Sequence, residues 1–228
     1  MTAATLPKPP ETEEAERFLA EIAGRDYPCV GAKSVAARGT LQMARGRDLT
    51  SGWNDLEIHR ALMEWSRQFR QDRDTLRSFM IIFDGPLDLS EEEYEAALWQ
   101  RLQSYADKDA WLGQSYAQAV SADPDDPHFS VSFGGEAFFV VGLHPGASRP
   151  ARRFHRPAIV FNLHQQFEAL RKEGRYQKMR DTILKRDRKF AGSANPMLSN
   201  HGEQSAARQY SGRAVDDDWQ CPFKDKRE

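Results

Sequence analysis

Two adjacent glycines between two apolar segments place the strongest constraint on how this chain folds. Phe129–Phe133 and Glu136–Val141 are rich in aromatic and β-branched residues, and Gly134-Gly135 separates them. A glycine pair at this position favours a tight two-residue turn, because glycine adopts positive φ angles at little steric cost. The pattern predicts an antiparallel hairpin, which argues against a doubly wound, all-parallel sheet.

Helix-type and strand-type segments alternate along the rest of the chain, judged from apolar spacing and from capping residues. The predicted helices are Glu11–Gly24, a short stretch within Tyr27–Gly39, Asn54–Gln71, Ser90–Asp107, Leu163–Lys172 and Tyr176–Arg188, and the predicted strands outside the hairpin are Leu76–Phe83 and Ala158–Phe161. Ser90 and Glu93 have capping-box spacing, and Asn162 is the predicted cap of the helix that follows it. The interspersed elements predict an α+β fold, with a mixed or antiparallel sheet surrounded by helices.

The two ends of the chain lack the periodicity of helices and strands. Residues 1–10 contain three prolines and are predicted to form a flexible tail before a single domain over residues 11–228. Residues 190–228 are rich in Gly, Ser, Asn, Pro and Asp, and such a stretch is long for a loop in a compact domain. It also contains apolar anchors, namely Met197, Leu198, Tyr210, Trp219 and Phe223. We therefore predict an ordered C-terminal wrap over residues 190–228.

The overall charge and the cysteine content narrow the class of protein. A formal net charge of −2 and a pI near 6.3 provide no global attraction to nucleic acid or to an anionic membrane. No run of 18 apolar residues occurs, and the two cysteines do not suggest a disulfide framework. We expect a cytoplasmic protein that binds neither nucleic acid nor membrane, with a homodimer as one option for its assembly.

The segment Gly142–Arg156 places one imidazole beside several guanidinium groups. A buried strand ends near Val141, the His144-Pro145 turn follows it, and the arginines after the turn are Arg149, Arg152, Arg153 and Arg156. A ligand that carries both a metal and anionic groups would suit this arrangement. Heme is such a ligand, since its iron accepts an imidazole and its propionates accept arginines. The alternative is an ordinary turn whose arginines are solvated or paired with carboxylates.

The remaining histidines and the cysteines show no stronger pattern. His59, His128 and His155 have charged surroundings and are predicted to lie at the surface, whereas His164 and His201 remain candidate ligands. No H-x-x-x-H or H-E-x-x-H spacing supports a zinc hydrolase. Cys29, near a helix start, is predicted to be a small buried cysteine rather than a reactive thiolate, and Cys221 in a Cys-Pro sequence is either a heme thiolate or a packing residue.

A basic run covers Arg171–Lys189, with nine Lys or Arg residues in nineteen positions. Glu173, Asp181 and Asp187 interrupt it, and no aromatic platform typical of RNA-binding modules accompanies it. We therefore predict a solvated amphipathic helix in preference to a nucleic-acid patch.

Four stretches in a fixed order carry a resemblance that spans residues 25–223. They are Tyr27–Gly39 (YPCVGAKSVAARG), Val140–Arg153 (VVGLHPGASRPARR), Phe161–Arg171 (FNLHQQFEALR) and Asn195–Phe223 (NPMLSNHGEQSAARQYSGRAVDDDWQCPF). Together they resemble the YqcI/YcgG family, which includes heme-dependent N-hydroxylases of arginine and related guanidino compounds. The resemblance implies heme b as the cofactor and one axial ligand within a matching stretch.

The resemblance leaves several residues as candidates for the axial ligand. We predict His144, because the end of a rigid strand sets the direction of its side chain. His164 at a helix start is the alternative, followed by His201 and by the thiolate of Cys221. The predicted cofactor-binding arginines are Arg149, Arg152, Arg153 and Arg213.

The resemblance also implies a monooxygenase that hydroxylates a guanidino or amino nitrogen, using O₂ or peroxide and an electron donor. Glu203 is the candidate partner of the substrate guanidinium, and Arg208 or Arg213 of a substrate carboxylate. Tyr210 is the candidate hydrogen-bond donor to the distal oxygen or to a propionate. The alternative role for each is an internal salt bridge or contact that holds the wrap in place. Two other functions stay open: a heme sensor or carrier without turnover, and a protein that binds an anionic metabolite without heme.

Overall fold

The computed structural model describes residues 8–71, 75–198 and 202–227. Its helices are α1 (Thr12–Ala23), α2 (Val30–Ala37), α3 (Asp55–Gln71), α4 (Glu91–Trp111), α5 (His164–Lys172), α6 (Tyr176–Ala191) and α7 (Ala207–Tyr210). Its strands are β1 (Leu41–Asp48), β2 (Ser78–Gly85), β3 (Val131–Phe133), β4 (Glu136–Leu143) and β5 (Ala158–Leu163). No helix in these ranges is both long and apolar enough to cross a membrane.

The five strands form one mixed sheet in the order β1-β2-β5-β4-β3. β1 and β2 are parallel and joined through α3, and the remaining pairs are antiparallel. The predicted hairpin is confirmed, since Phe133 pairs with Glu136 and both turn glycines have positive φ angles. The α+β prediction is therefore confirmed, together with its mixed sheet.

The sheet separates two layers because successive side chains of a strand point to opposite faces. On β2, Phe79, Ile81 and Phe83 pack in the larger core with α3 and α4. Met80 and Ile82 point the other way, into a smaller cluster that includes Phe18 of α1. The larger core is closed and aromatic, whereas the second face contains the cavity described below.

One local prediction was wrong, and one strand was missed. Asn162 does not cap α5, because its amide donates to Phe139 O at 3.3 Å and its carbonyl accepts from Ser78 Oγ at 2.7 Å, so it joins three strands instead. Strand β1 was not predicted. Its sequence contains two arginines and Gly46, and a Cβ at Gly46 would lie 2.3 Å from the Phe83 ring. The glycine that weakens the strand pattern is therefore required by cross-strand packing.

The C-terminal segment is ordered where the structure describes it, as the fold prediction required. Phe223 and Tyr210 are buried in the larger core, and Trp219 packs against that core. The carboxylate of Glu95 on α4 accepts from Ser211 Oγ at 2.8 Å, and its ion pair with Arg213 has an N–O distance of 2.6 Å. This carboxylate fixes the wrap to α4. Of the predicted N-terminal tail, residues 1–7 lie outside the described residues.

Candidate ligand cavity

A large cavity lies between the second face of the sheet and the helices that cover it. Its volume is about 320 Å³, within the range of roughly 300–1,000 Å³ that small-molecule pockets occupy. Side chains of α1, α2, α5 and α6 line it, together with the described parts of the C-terminal wrap. Most of these side chains are apolar, such as Phe18, Val160, Phe167 and Ile183. The cavity is therefore suited to a ligand with a large apolar surface.

His144 lies outside this cavity. Val141 and Leu143 of β4 line the cavity, so the alternation of side chains places Gly142 and His144 on the other face. His144 is 1% exposed, and its ring stacks on that of Tyr94 of α4 with centroids 4.2 Å apart. A Cβ added at Gly142 would meet Tyr94 Oη at 2.7 Å, which shows how closely this side is packed. The structure thus places the predicted axial ligand in the core.

The buried position of His144 predicts a pH-dependent stability. Burial lowers its pKa from 6.5 to about 4, and its Nδ1 has no hydrogen-bond partner among the described residues. Between these pH values the unfolded chain binds a proton that the folded protein does not, so stability falls as the pH falls from 6.5 to 4. The expected loss is about 3 kcal/mol, at about 1.4 kcal/mol per pKa unit.

Urea unfolding at pH 7 and pH 4 of the wild type and of His144→Phe tests this expectation. The phenyl ring keeps the stacking on Tyr94 and cannot be protonated. Between pH 7 and pH 4, the free energy of unfolding of the variant should fall by about 3 kcal/mol less than that of the wild type. An equal fall in the two proteins would contradict the prediction that His144 causes this pH dependence.

His164 does line the cavity, at the junction of β5 and α5. Val160 and Asn162 line it too, so the alternation along β5 directs His164 to the cavity face. Its Nδ1 lies 3.3 Å from Ser130 Oγ, and its Nε2 lies 3.2 Å from a carboxylate oxygen of Glu168, which is also paired with Arg171. The Ser130 hydroxyl orients the imidazole through Nδ1. Nε2 can then bind a metal once Glu168 turns away from it and toward Arg171.

Two of the predicted arginines are held by the protein itself. Arg149 lines the cavity, but its guanidinium pairs with Asp187 of α6 at 2.6 Å and donates to Ser193 O at 3.0 Å. Arg153 is exposed, and it donates to Ala147 O at 2.7 Å within its own turn. Arg149 therefore ties α6 to the turn, and Arg153 is not brought to the cavity.

Two cavity arginines have no carboxylate partner within ion-pair distance among the described residues. Arg152 donates only to backbone carbonyls, those of Gly142 at 3.1 Å, Tyr210 at 3.3 Å and Gln209 at 3.0 Å. Burial lowers the pKa of its guanidinium. Arg180 of α6 donates to Leu198 O at 3.3 Å. A bound anion would offset the desolvation of both groups.

Arg180 was not among the predicted site residues, although its position in the helical repeat of α6 offered a signal. Met179, Ile183 and Leu184 form the apolar stripe of α6, and Arg180 lies on that stripe at helical spacing. A cation on the buried stripe of a helix indicates either a paired charge or a ligand contact.

Two predicted site residues of the wrap, Tyr210 and Arg213, lie apart from the large cavity. Tyr210 is 0% exposed, donates to Phe138 O at 3.0 Å and stacks on Trp99 in the larger core. Arg213 is bound by Glu95. For these two residues the structure shows the contacts that hold the wrap in place.

Glu203 and Arg208 line a second, smaller pocket of about 230 Å³. Arg208 donates to Val215 O at 3.5 Å and to Asp216 O, and its guanidinium lies over the ring of Trp219. Pro127 and Gln204 line both pockets, so the smaller pocket adjoins the large cavity. Glu203 is thus beside the cavity rather than inside it.

The remaining candidate ligands differ in their access to the cavity. Cys29 lines it, caps α2 by accepting from Ala32 N at 3.4 Å, and has a thiol pKa raised by burial. Cys221 packs against the larger core, and burial raises its pKa to about 12, which disfavours a thiolate. His128 lines the cavity with a side chain that is 67% exposed. His201 lies outside the described residues.

The donor set of the cavity fits heme. Iron in heme needs one protein ligand and its propionates need cations, and the cavity offers His164 together with Arg152 and Arg180 inside apolar walls. In the described ranges, no cluster of three His, Cys, Asp or Glu side chains could hold a bare metal ion.

Fold and cavity together define an α+β protein with an apolar, arginine-bearing ligand cavity. The chain belongs to the YqcI/YcgG family, whose model matches residues 18–224. Searches of the curated proteins and of the solved structures returned no match.

Proposed function

We propose that this protein binds heme b in the large cavity and acts as a monooxygenase on a guanidino or amino nitrogen. The observation that carries the heme proposal is that the imidazole of His164 lines the same apolar cavity as Arg152 and Arg180, two guanidinium groups with no carboxylate partner within ion-pair distance among the described residues. The choice of reaction rests on the resemblance to the family described above. His164 replaces His144 as the proposed axial ligand.

Each residue has a task that follows from its position. His164 would bind iron through Nε2 while Ser130 orients the ring, and Arg152 and Arg180 would bind the propionates. When bound, heme would supply oxygen insertion at a substrate nitrogen, from O₂ with two electrons from a donor or from peroxide without added electrons. The apolar side chains of α1, α5 and α6 exclude water from the reacting groups.

The proposed substrate is a small guanidino or amino compound that enters beside the wrap. Glu203 and Asp217 line the smaller pocket next to the cavity, and Asp217 lies 3.9 Å from the guanidinium of Arg208, so the carboxylates here already face a cationic group of the type proposed for the substrate. Trp219 in the same pocket already carries the guanidinium of Arg208 over its ring at 5.9 Å from the centroid. The pocket thus has the chemistry that recognises a guanidinium, including an aromatic face.

The test of the heme proposal is an absorption spectrum of protein expressed with iron and 5-aminolevulinate, in the ferric and ferrous-CO states. We expect a Soret band typical of imidazole ligation. His164→Ala should weaken hemin binding by roughly tenfold or more. Loss of a residue that only hydrogen-bonds to a metal ligand already costs about tenfold, and His164 is proposed to be the ligand itself. Added imidazole should restore the spectrum.

Two control variants separate ligation from folding. His144→Phe should keep the heme spectrum, because His144 faces α4. His128→Ala should also keep it, because this imidazole is largely exposed. Absence of a Soret band after hemin addition to the folded wild type would overturn the proposal, and so would an unchanged spectrum in His164→Ala.

A heme sensor or carrier without turnover is the second candidate, and one observation favours it. Among the described residues, the carboxylate that lines the cavity, Asp187, and the one that contacts His164, Glu168, are both paired with arginines. A substrate guanidinium inside the cavity would therefore need to displace an arginine. Incubation with arginine-like compounds, reductant and O₂ followed by mass spectrometry distinguishes the two, since a product heavier by one oxygen atom requires turnover.

A further inference from the structure

Helix α6 has two faces of different character. Its inner face lines the cavity with Tyr176, Met179, Ile183 and Leu184. Its outer face is exposed, and the basic side chains there are Lys178, Lys185, Arg186, Arg188 and Lys189. Lys178, Lys185 and Arg188 follow one another at spacings of seven and three residues, so they lie along one side of the helix.

Most of these cations have no structural partner in the described residues. The ion pairs that α6 makes join Asp187 to Arg149 at 2.6 Å and Lys189 to Asp26 at 4.0 Å. Neither involves Lys178, Lys185 or Arg186. Asp181 on the same face accepts from Gln177 at 2.8 Å. The cations of the outer face are therefore available to a partner.

The helix itself does not explain this charge. Cations in the last turn interact favourably with the helix dipole, which accounts for Arg188 and Lys189. Lys178 lies in the first turn, where a cation is unfavourable and where α6 has no acidic residue. Lys185 has like charges three and four residues later, which destabilises a helix slightly. Folding alone would favour a less basic sequence.

The charge is also local. Arg171–Lys189 contains nine basic and three acidic residues and so carries a formal charge of +6, whereas the whole chain carries −2. The rest of the chain is therefore acidic by comparison, at −8. Exposed charges act over roughly 8 Å at physiological ionic strength, so a partner at α6 would sense mainly the basic helix.

We infer that the outer face of α6 is a docking surface for an acidic protein, and that this protein delivers electrons to the cavity. The acidity of the partner rests on α6 alone, whereas its role as the electron donor rests on the proposed function. A partner on this face is separated from the cavity only by α6, whose diameter is about 10 Å. Electrostatic attraction of this kind increases the association rate and makes it depend on salt.

The test measures association of the full-length chain, with and without hemin, with an acidic [2Fe–2S] ferredoxin as probe. Stopped-flow rates are recorded at low and high ionic strength for the wild type and for Lys178→Glu/Lys185→Glu. The double variant should associate roughly tenfold more slowly at low salt and lose most of the salt dependence. Replacing Lys178 by Glu also suits the helix dipole, so the variant should fold normally.

The matched control is Arg47→Glu/Arg60→Glu, which changes the net charge by the same amount. Arg47 on β1 and Arg60 on α3 are exposed and belong to elements other than α6. Equal slowing by the two double variants would overturn the inference, because net charge alone would then explain the rates. The inference would also be overturned if Lys178→Glu/Lys185→Glu lost the binding of an RNA oligonucleotide or of anionic vesicles but still bound ferredoxin as the wild type does.

The two proposals fail in different ways. Salt-dependent ferredoxin binding that requires Lys178 and Lys185 in a protein that binds no hemin would support the docking surface and overturn the heme function. A normal heme spectrum with no ferredoxin association in any variant would overturn the docking surface and leave the heme function standing.

Discussion

Replacing Asp109 by Ala is expected to lower the free energy of unfolding by about 3–5 kcal/mol, the typical cost of removing one partner of a buried ion pair. The Asp109 side chain is 0% exposed and lies at the centre of a buried network. One oxygen is 2.6 Å from His59 Nε2, and the other accepts from Arg227 at 3.0 Å and from Gly134 N at 2.6 Å. Its loss leaves the Arg227 cation buried and the hairpin turn without its acceptor.

Urea unfolding followed by tryptophan fluorescence measures this loss. The control is Lys226→Ala, which removes a neighbouring ion pair to Asp107 whose side chains are 62% and 41% exposed. Exposed pairs contribute about 0–1 kcal/mol, so this variant should remain close to the wild type. If Asp109→Ala and Lys226→Ala lower the free energy of unfolding by similar amounts, the buried network around Asp109 does not stabilise the fold as described.

Replacing Glu95 by Ala should have the second-largest effect, about 3 kcal/mol, because several donors of the wrap lose one shared acceptor. Glu95 is 7% exposed, and its carboxylate accepts from Ser211 Oγ at 2.8 Å, Arg213 Nε at 2.8 Å and Trp219 Nε1 at 3.3 Å. We expect the wrap to open more often, since its local stability depends on these contacts. Limited proteolysis should cut the segment after residue 202 faster than in the wild type.

Glu92 provides the matched control for this experiment. It lies 3.5 Å from the same arginine, but its side chain is 80% exposed. Glu92→Ala should therefore change neither the unfolding free energy by more than about 1 kcal/mol nor the rate of proteolysis. Unchanged proteolysis in Glu95→Ala would show that the aromatic anchors hold the wrap without this carboxylate.

The local elements were well predicted because their signals are local. The capping box at Ser90 and Glu93 has both of its reciprocal hydrogen bonds, and α4 begins directly after Ser90. The Gly134-Gly135 turn follows from backbone sterics alone. These features depend on residues a few positions apart, so the sequence contains all the information that they require.

The burial of His59 could not be predicted from local sequence signals. Its neighbours Glu57 and Arg60 suggested a surface position, yet the imidazole is 0% exposed. Ile58 and Leu62 lie in the core, and His59 is directed to Asp109, which is 50 residues away in sequence. The burial of a polar side chain depends on a distant partner, and no local pattern identifies that partner.

The sequence by itself determined most of the helices and strands in their order, apart from β1, together with the antiparallel hairpin and the family to which the chain belongs. Only the tertiary structure decided which histidine faces the cavity, because β4 and β5 direct His144 and His164 to opposite sides of one sheet. It also decided which arginines carry uncompensated charge, since Asp187 neutralises Arg149 and leaves Arg152 to backbone carbonyls. The physical reason is that contacts between segments far apart in sequence decide what a side chain packs against and whether its charge is neutralised.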